Sequence, residues 1–199
     1  MKKWNQNLVV LVIVLLQSVV MVGQLNPRTG PRLSKDGKVM LGVWSRDSVL
    51  VIPEGVEVVE KYGGGWKKIV IPSTLKRMKV KMRTSEFVVA EGNTVWCSRG
   101  GHLYTKDGKT MVSCAIKYGG EVNIVIPEGT ESVEYSAILF NLYNDISRII
   151  IKVPRGKVLD VHYSGLINGF MVYWSVRFLV PKELAEEYRK RGYGNVEEY

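Results

Sequence analysis

The stretch IVIPEG at residues 124–129 nearly repeats LVIPEG at residues 50–55 of this 199-residue chain. In each copy, three β-prone residues stand before a proline. The residue before a proline is held extended, and the proline ends a strand ladder because it has no N–H to donate. The phrase therefore predicts a short strand that stops at a defined residue and is followed by a turn.

The strand-and-proline phrase occurs five times, at residues 50–53, 69–72, 124–127, 151–154 and 178–181, and a degenerate copy, FVVA, stands at 87–90. The prolines are separated by 19, 55, 27 and 27 residues. Steps of this size are typical of repeat proteins, in which neighbouring units must stack because one unit cannot bury its apolar side alone. The copies at 50–53, 69–72 and 124–127 are apolar at every strand position, so we expect short parallel strands that are covered on both faces.

A second phrase is also present twice, as LSKDGKVML at 33–41 and LYTKDGKTMV at 103–112. Asp-Gly between β-prone flanks supplies the positive φ angles that a tight hairpin turn requires. The two hairpins are 71 residues apart and the two IPEG strands are 74 residues apart. The duplicated object is therefore a hairpin, a strand and a turn, with hairpin units near 33–43 and 94–115.

Three phrases of the chain resemble the BspA-type leucine-rich repeat family of secreted and surface-exposed bacterial proteins: LYTKDGKTMVSC, VNIVIPEGTESVEYSAI and the closing RFLVPKELAEEYRK. The resemblance implies a mainly β fold with short helices. More specifically, it implies a leucine-rich-repeat-like solenoid of stacked short parallel strands, with β-hairpin insertions and a C-terminal capping helix. The family's Ala-Phe pair after each turn is replaced here, for example by Tyr62-Gly63-Gly64, so we expect a short and irregular array.

Residues 170–192 predict the C-terminal cap. Apolar residues alternate along 170–180, as in a strand, and Pro181 precedes a short helix over Lys182 to Arg191. This helix places Leu184 and Tyr188 on one face. A cap with a polar outer face would shield the last strand of an array.

The first 23 residues are typical of an export signal, because Lys2 and Lys3 precede an unbroken apolar run from Leu8 to Leu16. We expect cleavage after Gly23, which would leave residues 24–199 as a single domain in the periplasm, at the cell surface or outside the cell. An uncleaved anchor is the alternative, because Met21 is larger than the residue that a cleavage site prefers.

The composition, 46% hydrophobic and 24% charged, is typical of a globular chain rather than a disordered one. The net charge is +9, and basic residues are densest between 76 and 83. Such a strip could meet nucleic acid or anionic polymers, but alternation with Met78, Val80 and Met82 favours the solvated face of a half-buried strand. We therefore expect no nucleic-acid partner.

His102 and His162 are the only histidines, and neither has a second metal ligand at short spacing. Cys97 stands close to His102 in sequence, which suggests a cysteine nucleophile, but nothing nearby marks an orienting acid. His102 is better explained as part of the middle strand of a three-stranded meander over 94–114. Cys97 and Cys114 would then lie two strand spacings apart, beyond disulfide reach, so we expect free thiols.

The other candidate residues also have structural explanations. Lys109 lies in the tail of a phosphate-loop pattern, but Leu103 stands where that loop needs its first glycine. Glu54 and Glu128 follow strand-ending prolines, which favours a role in the turn. Tryptophans in a β-rich chain are more often core than sugar-stacking platforms, and the four concerned are Trp44, Trp66, Trp96 and Trp174. Asp47-Ser48-Val49 resembles an O-glycan acceptor of some Bacteroidetes.

These observations predict a non-catalytic exported interaction module that binds a protein, or an envelope or host glycan, through a repeat surface. We expect no catalytic residue, no metal site and no cofactor, and the sequence assigns no ligand-binding residue. The alternative is a small envelope hydrolase acting on glycan or peptide, in which Cys97 or His102 would be essential.

Overall fold

The computed structural model describes residues 30–43, 48–61, 65–79, 82–117, 120–135, 137–140, 146–161, 163–165 and 176–199. Within these ranges the chain is mainly β, with seventeen short strands and one short α-helix. The strands are β1 (Pro31–Leu33), β2 (Val39–Val43), β3 (Val49–Val51), β4 (Val58–Val59), β5 (Lys68–Ile71), β6 (Arg77–Met78), β7 (Phe87–Val89), β8 (Trp96–Arg99), β9 (His102–Thr105), β10 (Thr110–Ser113), β11 (Gly120–Val125), β12 (Ser132–Val133), β13 (Ile138–Phe140), β14 (Ile146–Lys152), β15 (Tyr163–Gly165), β16 (Val176–Val180) and β17 (Val196–Glu198). The helix is α1 (Ala185–Lys190), which follows a 3-10 turn at Lys182–Leu184.

The strands form several small sheets rather than one. Their strand orders are β1-β2-β4-β6, β3-β5-β7, β12-β10-β9-β8, β11-β14-β16-β17 and β13-β15. Pairing is antiparallel between β1 and β2 and within the β8-β9-β10 meander, and it is parallel in the other pairs. The predicted hairpins and the predicted meander are therefore confirmed.

Equivalent residues of successive strand-and-proline phrases are direct partners. Leu50 pairs with Ile69 and Ile69 with Phe87, while Ile124 pairs with Ile151, which is itself paired with Phe178. The parallel pairing expected of these phrases is confirmed, but they divide between two sheets, β3-β5-β7 and β11-β14-β16-β17.

Only one face of these strands is buried. Leu50, Ile52 and Ile124 are almost fully buried, whereas Val51 is 58% exposed and Val125 is 56% exposed. The expectation that both faces are covered is therefore wrong. Side chains alternate along a strand, and apolar residues occupy the outward positions as well as the inward ones.

The buried residues form two hydrophobic cores, one on each side of the β8-β9-β10 meander. The first core includes Met40, Ile69 and Phe87, and the second includes Ile151 and Phe178.

The meander contributes to both cores. Leu103, Val112 and Ala115 pack in the first core, whereas Tyr104, Met111 and Cys114 pack in the second. The meander is thus the junction between the two cores.

The two hairpin turns have the same local structure. In the first, Asp36 Oδ1 accepts hydrogen bonds from the Ser34 hydroxyl at 2.5 Å and from the Lys38 N–H at 3.1 Å. In the second, Asp107 Oδ1 accepts from the Thr105 hydroxyl at 2.6 Å and from the Lys109 N–H at 3.0 Å. These contacts lower the pKa of both carboxyl groups, with the side-chain hydrogen bond as the larger cause.

The C-terminal segment forms the predicted strand and helix and then continues. Tyr188 on α1 is fully buried, and its hydroxyl accepts a hydrogen bond from the Leu159 N–H at 2.9 Å. The predicted cap ends at residue 192, but β17 adds a parallel strand beyond it, next to β16. Part of the predicted 170–180 strand, residues 170–175, lies outside the described residues.

The predicted leader, residues 1–23, also lies outside the described residues. Among the helices of the part that the structure describes, none has the length and apolar character needed to cross a membrane.

The degenerate copy FVVA ends at Ala90, and Asn93 then takes the place that Val56 has in the first copy. The Asn93 N–H donates to the Ala90 carbonyl at 2.9 Å, as the Val56 N–H donates to the Pro53 carbonyl at 3.2 Å. Asn93 is completely buried although its side chain is polar.

The Asn93 side chain satisfies four backbone groups. Its Nδ2 donates to the carbonyls of Pro72 at 2.8 Å and Leu75 at 3.0 Å. Its Oδ1 accepts from the N–H groups of Val95 at 2.8 Å and Trp96 at 2.7 Å. Asn93 therefore ties the turn after β5 to the start of the meander.

Replacing Asn93 by alanine should destabilise the protein strongly, because four backbone groups lose their hydrogen bond to its side chain. Each buried group left unsatisfied costs about 1–3 kcal/mol, so we expect the free energy of unfolding in urea to fall by about 3 kcal/mol or more. Asn123→Ala is the matched control, because Asn123 is exposed on β11 and its amide donates to the exposed Glu121 carboxylate at 3.0 Å. Similar losses for the two variants would contradict the assigned role of Asn93.

Candidate functional site

The outward side of the sheet β3-β5-β7 carries a row of aligned apolar side chains. Val51 pairs with Val70, which in turn pairs with Val88, so the three side chains stand at successive strand spacings of about 4.8 Å. Val51 is 58% exposed, Val88 is 37% exposed, and Val49, beside them on β3, is 42% exposed. We call Val49, Val51, Val70 and Val88 the valine row.

The charged residues next to the valine row are paired with each other. Lys68, the strand partner of Val49, forms an ion pair with Glu86 at 3.0 Å. This pair forms a polar border to the exposed valines.

The outward side of the C-terminal sheet is more polar. Val125 lies in register with Lys152, and Lys152 with Leu179, which pairs with Glu197. Ion pairs cross this face from strand to strand, at 3.3 Å between Arg148 and Glu121 and at 2.6 Å between Arg177 and Glu197. An exposed valine here is surrounded by charge rather than by other valines.

The basic strip at 76–83 is partly compensated by glutamates of the preceding copy. Glu57 pairs with Lys76 at 2.9 Å and with Lys38 at 3.2 Å, and Glu60 pairs with Lys79 at 2.6 Å. The hydrogen bond from Lys76 is the largest cause that lowers the pKa of Glu57. Residues 80–81 of the strip lie outside the described residues.

His102 lies at the start of β9 and is only 6% exposed. Its Nδ1 accepts a hydrogen bond from the Ala115 N–H at 3.0 Å. Its Nε2 lies 3.2 Å from the Val125 carbonyl oxygen, which can only accept, so Nε2 carries the proton. Both ring nitrogens of a neutral imidazole are therefore engaged by the backbone.

Both cysteines are free, as expected from the meander. Cys114 is buried, and its Sγ lies 3.6 Å from His102 Nδ1. That nitrogen already accepts from Ala115, and burial raises the pKa of the Cys114 thiol, so the pair is not arranged to form a thiolate. Cys97 donates to the Thr105 carbonyl at 3.1 Å.

Glu54 and Glu128 make equivalent contacts between neighbouring copies. A carboxylate oxygen of Glu54 accepts from the Ser73 N–H at 3.2 Å, and one of Glu128 accepts from the Arg155 N–H at 3.0 Å. In each case the donor is the residue after the next strand-ending proline. The expected role of these glutamates in the turn is confirmed.

The second hairpin is attached to the IPEG turn by residues that the sequence analysis missed. The Arg99 guanidinium donates to the carbonyls of Gly108 and Glu128, and it stands 5.2 Å from the centre of the Tyr104 ring. The Tyr104 hydroxyl lies 3.0 Å from Thr130 Oγ1. Thr130 donates its own proton to the Pro127 carbonyl at 2.7 Å, so Tyr104 is the donor between the two hydroxyl groups.

Burial raises the pKa of Tyr104 to about 12, which keeps its hydroxyl a donor. The first hairpin has Leu33 where the second has Tyr104. This difference between two otherwise similar phrases is the sequence signal that could have identified the attachment.

Trp66 and Trp96, the two tryptophans that the structure describes, both pack in the first core, as expected. Trp66 is 4% exposed, and Trp96 is half-buried. Trp44, Trp174 and Asp47 lie outside the described residues, whereas Ser48 is exposed. No group of three or more possible metal ligands occurs among the described residues.

The glycines of the two hairpin turns offer a matched test of the Arg99 contact. Gly37 and Gly108 have φ angles of 74° and 70°. A Cβ on Gly108 would lie 3.0 Å from Arg99 Cδ, whereas a Cβ on Gly37 would have no described heavy atom within 4 Å.

Gly37→Ala should therefore cost about 1 kcal/mol of unfolding free energy, from the left-handed backbone alone. Gly108→Ala should cost about 1 kcal/mol more, because the new methyl displaces a guanidinium that holds two carbonyls. Urea unfolding of both variants measures the extra loss of unfolding free energy in Gly108→Ala. Arg99→Met should reduce this extra loss when the two substitutions are combined. Equal losses in the two single variants would contradict the attachment.

Comparisons with known proteins leave this chain without an assigned family. No protein-family model matches it, and no curated protein matches it either. Among solved structures, it is similar to the pneumococcal vaccine antigen PcpA, with a TM-score of 0.36 and 13% sequence identity over 63% of this chain and 37% of that chain. A similarity of this size carries no argument about the fold or the function of this chain.

Proposed function

We propose that this chain is a non-catalytic, exported interaction module that binds a partner, protein rather than glycan, through the valine row. The single observation that carries the proposal is the alignment of Val51, Val70 and Val88 on the outward face of a parallel sheet. We also propose that the parallel sheets belong to one short, degenerate leucine-rich-repeat-like solenoid of the BspA type.

The solenoid proposal is supported by the register of the strands. Val39 pairs with Val58, and Val58 with Arg77, in steps of 19 residues. Leu50 pairs with Ile69 over the same interval. Each step therefore supplies one strand to each of two sheets, which is what a repeat unit does when neighbouring units stack.

The proposed contact surface has the properties of a site prepared for binding. Exposed apolar residues that are contiguous and bordered by polar groups mark interaction surfaces, whereas single exposed apolar residues do not. The valine row stands on paired strands, and valine has few rotamers to lose. Little conformational entropy is therefore lost when a partner covers it.

A protein partner fits this surface better than a glycan. Sugars are bound by stacking on exposed aromatic rings, whereas the valine row consists of aliphatic side chains. Branched aliphatic side chains offer no hydrogen bond to a sugar hydroxyl, but they pack well against apolar side chains.

The non-catalytic assignment is supported by what the reactive side chains already do. Both nitrogens of His102 are bonded to backbone groups, and the Cys114 thiol is buried beside one of them. The export assignment rests on the apolar run Leu8 to Leu16 behind Lys2 and Lys3.

Val51→Glu should abolish partner binding, whereas Val125→Glu should leave it intact. Both valines are more than half exposed on β strands, so the two variants should fold equally well. A carboxylate forced into an apolar interface costs more than about 1.4 kcal/mol, which corresponds to at least a tenfold loss of affinity.

The measurement is in-cell cross-linking of the tagged full-length chain, followed by quantitative identification of the proteins captured. We expect a protein that wild type and Val125→Glu retain and that Val51→Glu loses at least tenfold. Capture of nothing above background, or equal capture by all three chains, would count against the proposal. If the purified protein hydrolyses cell wall and loses this activity when its cysteines are alkylated, the hydrolase alternative is established instead.

A further inference from the structure

The His102 side chain joins two sheets at the junction between the cores. It belongs to β9 of the meander, and it binds Ala115, which follows β10, through Nδ1 at 3.0 Å. Through Nε2 it binds the carbonyl of Val125, the last residue of β11 in the C-terminal sheet, at 3.2 Å. One ring thus connects the meander to the sheet β11-β14-β16-β17.

This connection requires the neutral form of the ring. A proton added to Nδ1 converts an acceptor into a donor that faces the donor N–H of Ala115. The ring is only 6% exposed, so water cannot easily satisfy either group. Protonation and the present geometry are therefore incompatible.

Among the residues that the structure describes, the titratable groups next to the ring do not stabilise an imidazolium. Cys114 Sγ is 3.6 Å from Nδ1 but remains a neutral thiol, since burial raises its pKa. Arg99 lies opposite His102 on β8 and is a cation, which binds the carbonyls of Gly108 and Glu128. Tyr104, on the same strand, is kept neutral by a pKa raised to about 12.

Burial lowers the pKa of His102, and the hydrogen bond to Val125 only partly opposes this effect. The unfolded or opened chain has the ordinary histidine pKa of about 6.5 and therefore binds the proton first. The stability that the neutral ring contributes is fully present above this pH and is lost as the pH falls below it.

We propose that His102 is an acid-sensitive latch, and that mild acid releases Ala115 and Val125 from the ring and opens the junction between the two cores. The latch belongs to the second hairpin unit alone. The residue 71 positions earlier, which is equivalent in the first unit, is Pro31, and proline has no titratable group. The inference does not depend on the proposed partner surface.

Amide hydrogen exchange tests the latch, with rates corrected for the intrinsic effect of pH. We expect the opening equilibrium of the amides of Ala115, Ile116 and residues 120–126 to rise up to about tenfold between pH 7.5 and 5.5 in wild type. The amides of Ile69 and Ile71, whose side chains pack in the first core, should keep their protection, because the opening is local. A loss of protection that is uniform over the chain would overturn the proposal.

His102→Gln and His162→Gln are the two informative variants, because the chain has no other histidine. The first removes the titrating group and should make the junction amides insensitive to this pH change, whereas the second should behave like wild type. An unchanged response in His102→Gln, or none in wild type, would overturn the proposal.

If His102→Gln does not fold, the ring of His102 can be followed by NMR in His162→Gln, where it is the only histidine. We expect the ring to titrate below a pH of about 6.5, because the closed form disfavours the proton, and the junction amides to lose protection as the pH falls from about 6.5 toward that titration. A ring that titrates near pH 6.5 while the junction amides stay protected would overturn the latch.

Discussion

Leu50, Ile69 and Phe87 stack on one another across a parallel sheet, and Ile124, Ile151 and Phe178 do the same in the second. Each buried side chain of this size contributes about 1.5–3 kcal/mol, but only if its neighbours in the next copies cover it. A proline ends each of these strands except β7, where Ala90 stands in its place, and Glu54 and Glu128 then bind the N–H that follows the next proline. The spacing between copies is thus held at the buried face and again at the turn.

The meander interrupts this stacking and explains the long gap between the second and third prolines. The two faces of the meander pack in different cores. The chain therefore passes from the first core to the second without exposing either core to solvent. Asn93 lies where the interruption begins, and its side chain hydrogen-bonds four backbone groups there. Arg99 and His102 end it by binding backbone carbonyls of the next unit, and Tyr104 does so by binding the Thr130 hydroxyl. Polar side chains therefore hold the junction together with the apolar residues that the meander packs into both cores.

The sequence predicted the features that follow from local chemistry. Asp-Gly turns and strands that stop at prolines are consequences of backbone geometry, so Asp36, Asp107 and the phrase boundaries could be identified. The sequence could not predict which strand residues are exposed, because β-branched residues are favoured in strands whether they are covered or not. Val51 and Val125 are examples. The roles of Asn93 and Arg99 depend on contacts with distant segments, and no local pattern marks them. The strand β17 was missed because Val-Glu-Glu has a weak strand signal.

Strand propensity alone does not account for where the exposed valines lie. On the C-terminal sheet, the outward positions carry charged residues between the apolar ones, and the last strand, β17, presents Glu197 and Glu198. Charges at the end of a sheet discourage pairing with another chain. In the sheet β3-β5-β7, β3 is the terminal strand and presents Val49 and Val51. Because exposed apolar rows carry a risk of aggregation unless something covers them, this contrast favours the β3 side as the surface that a partner reaches.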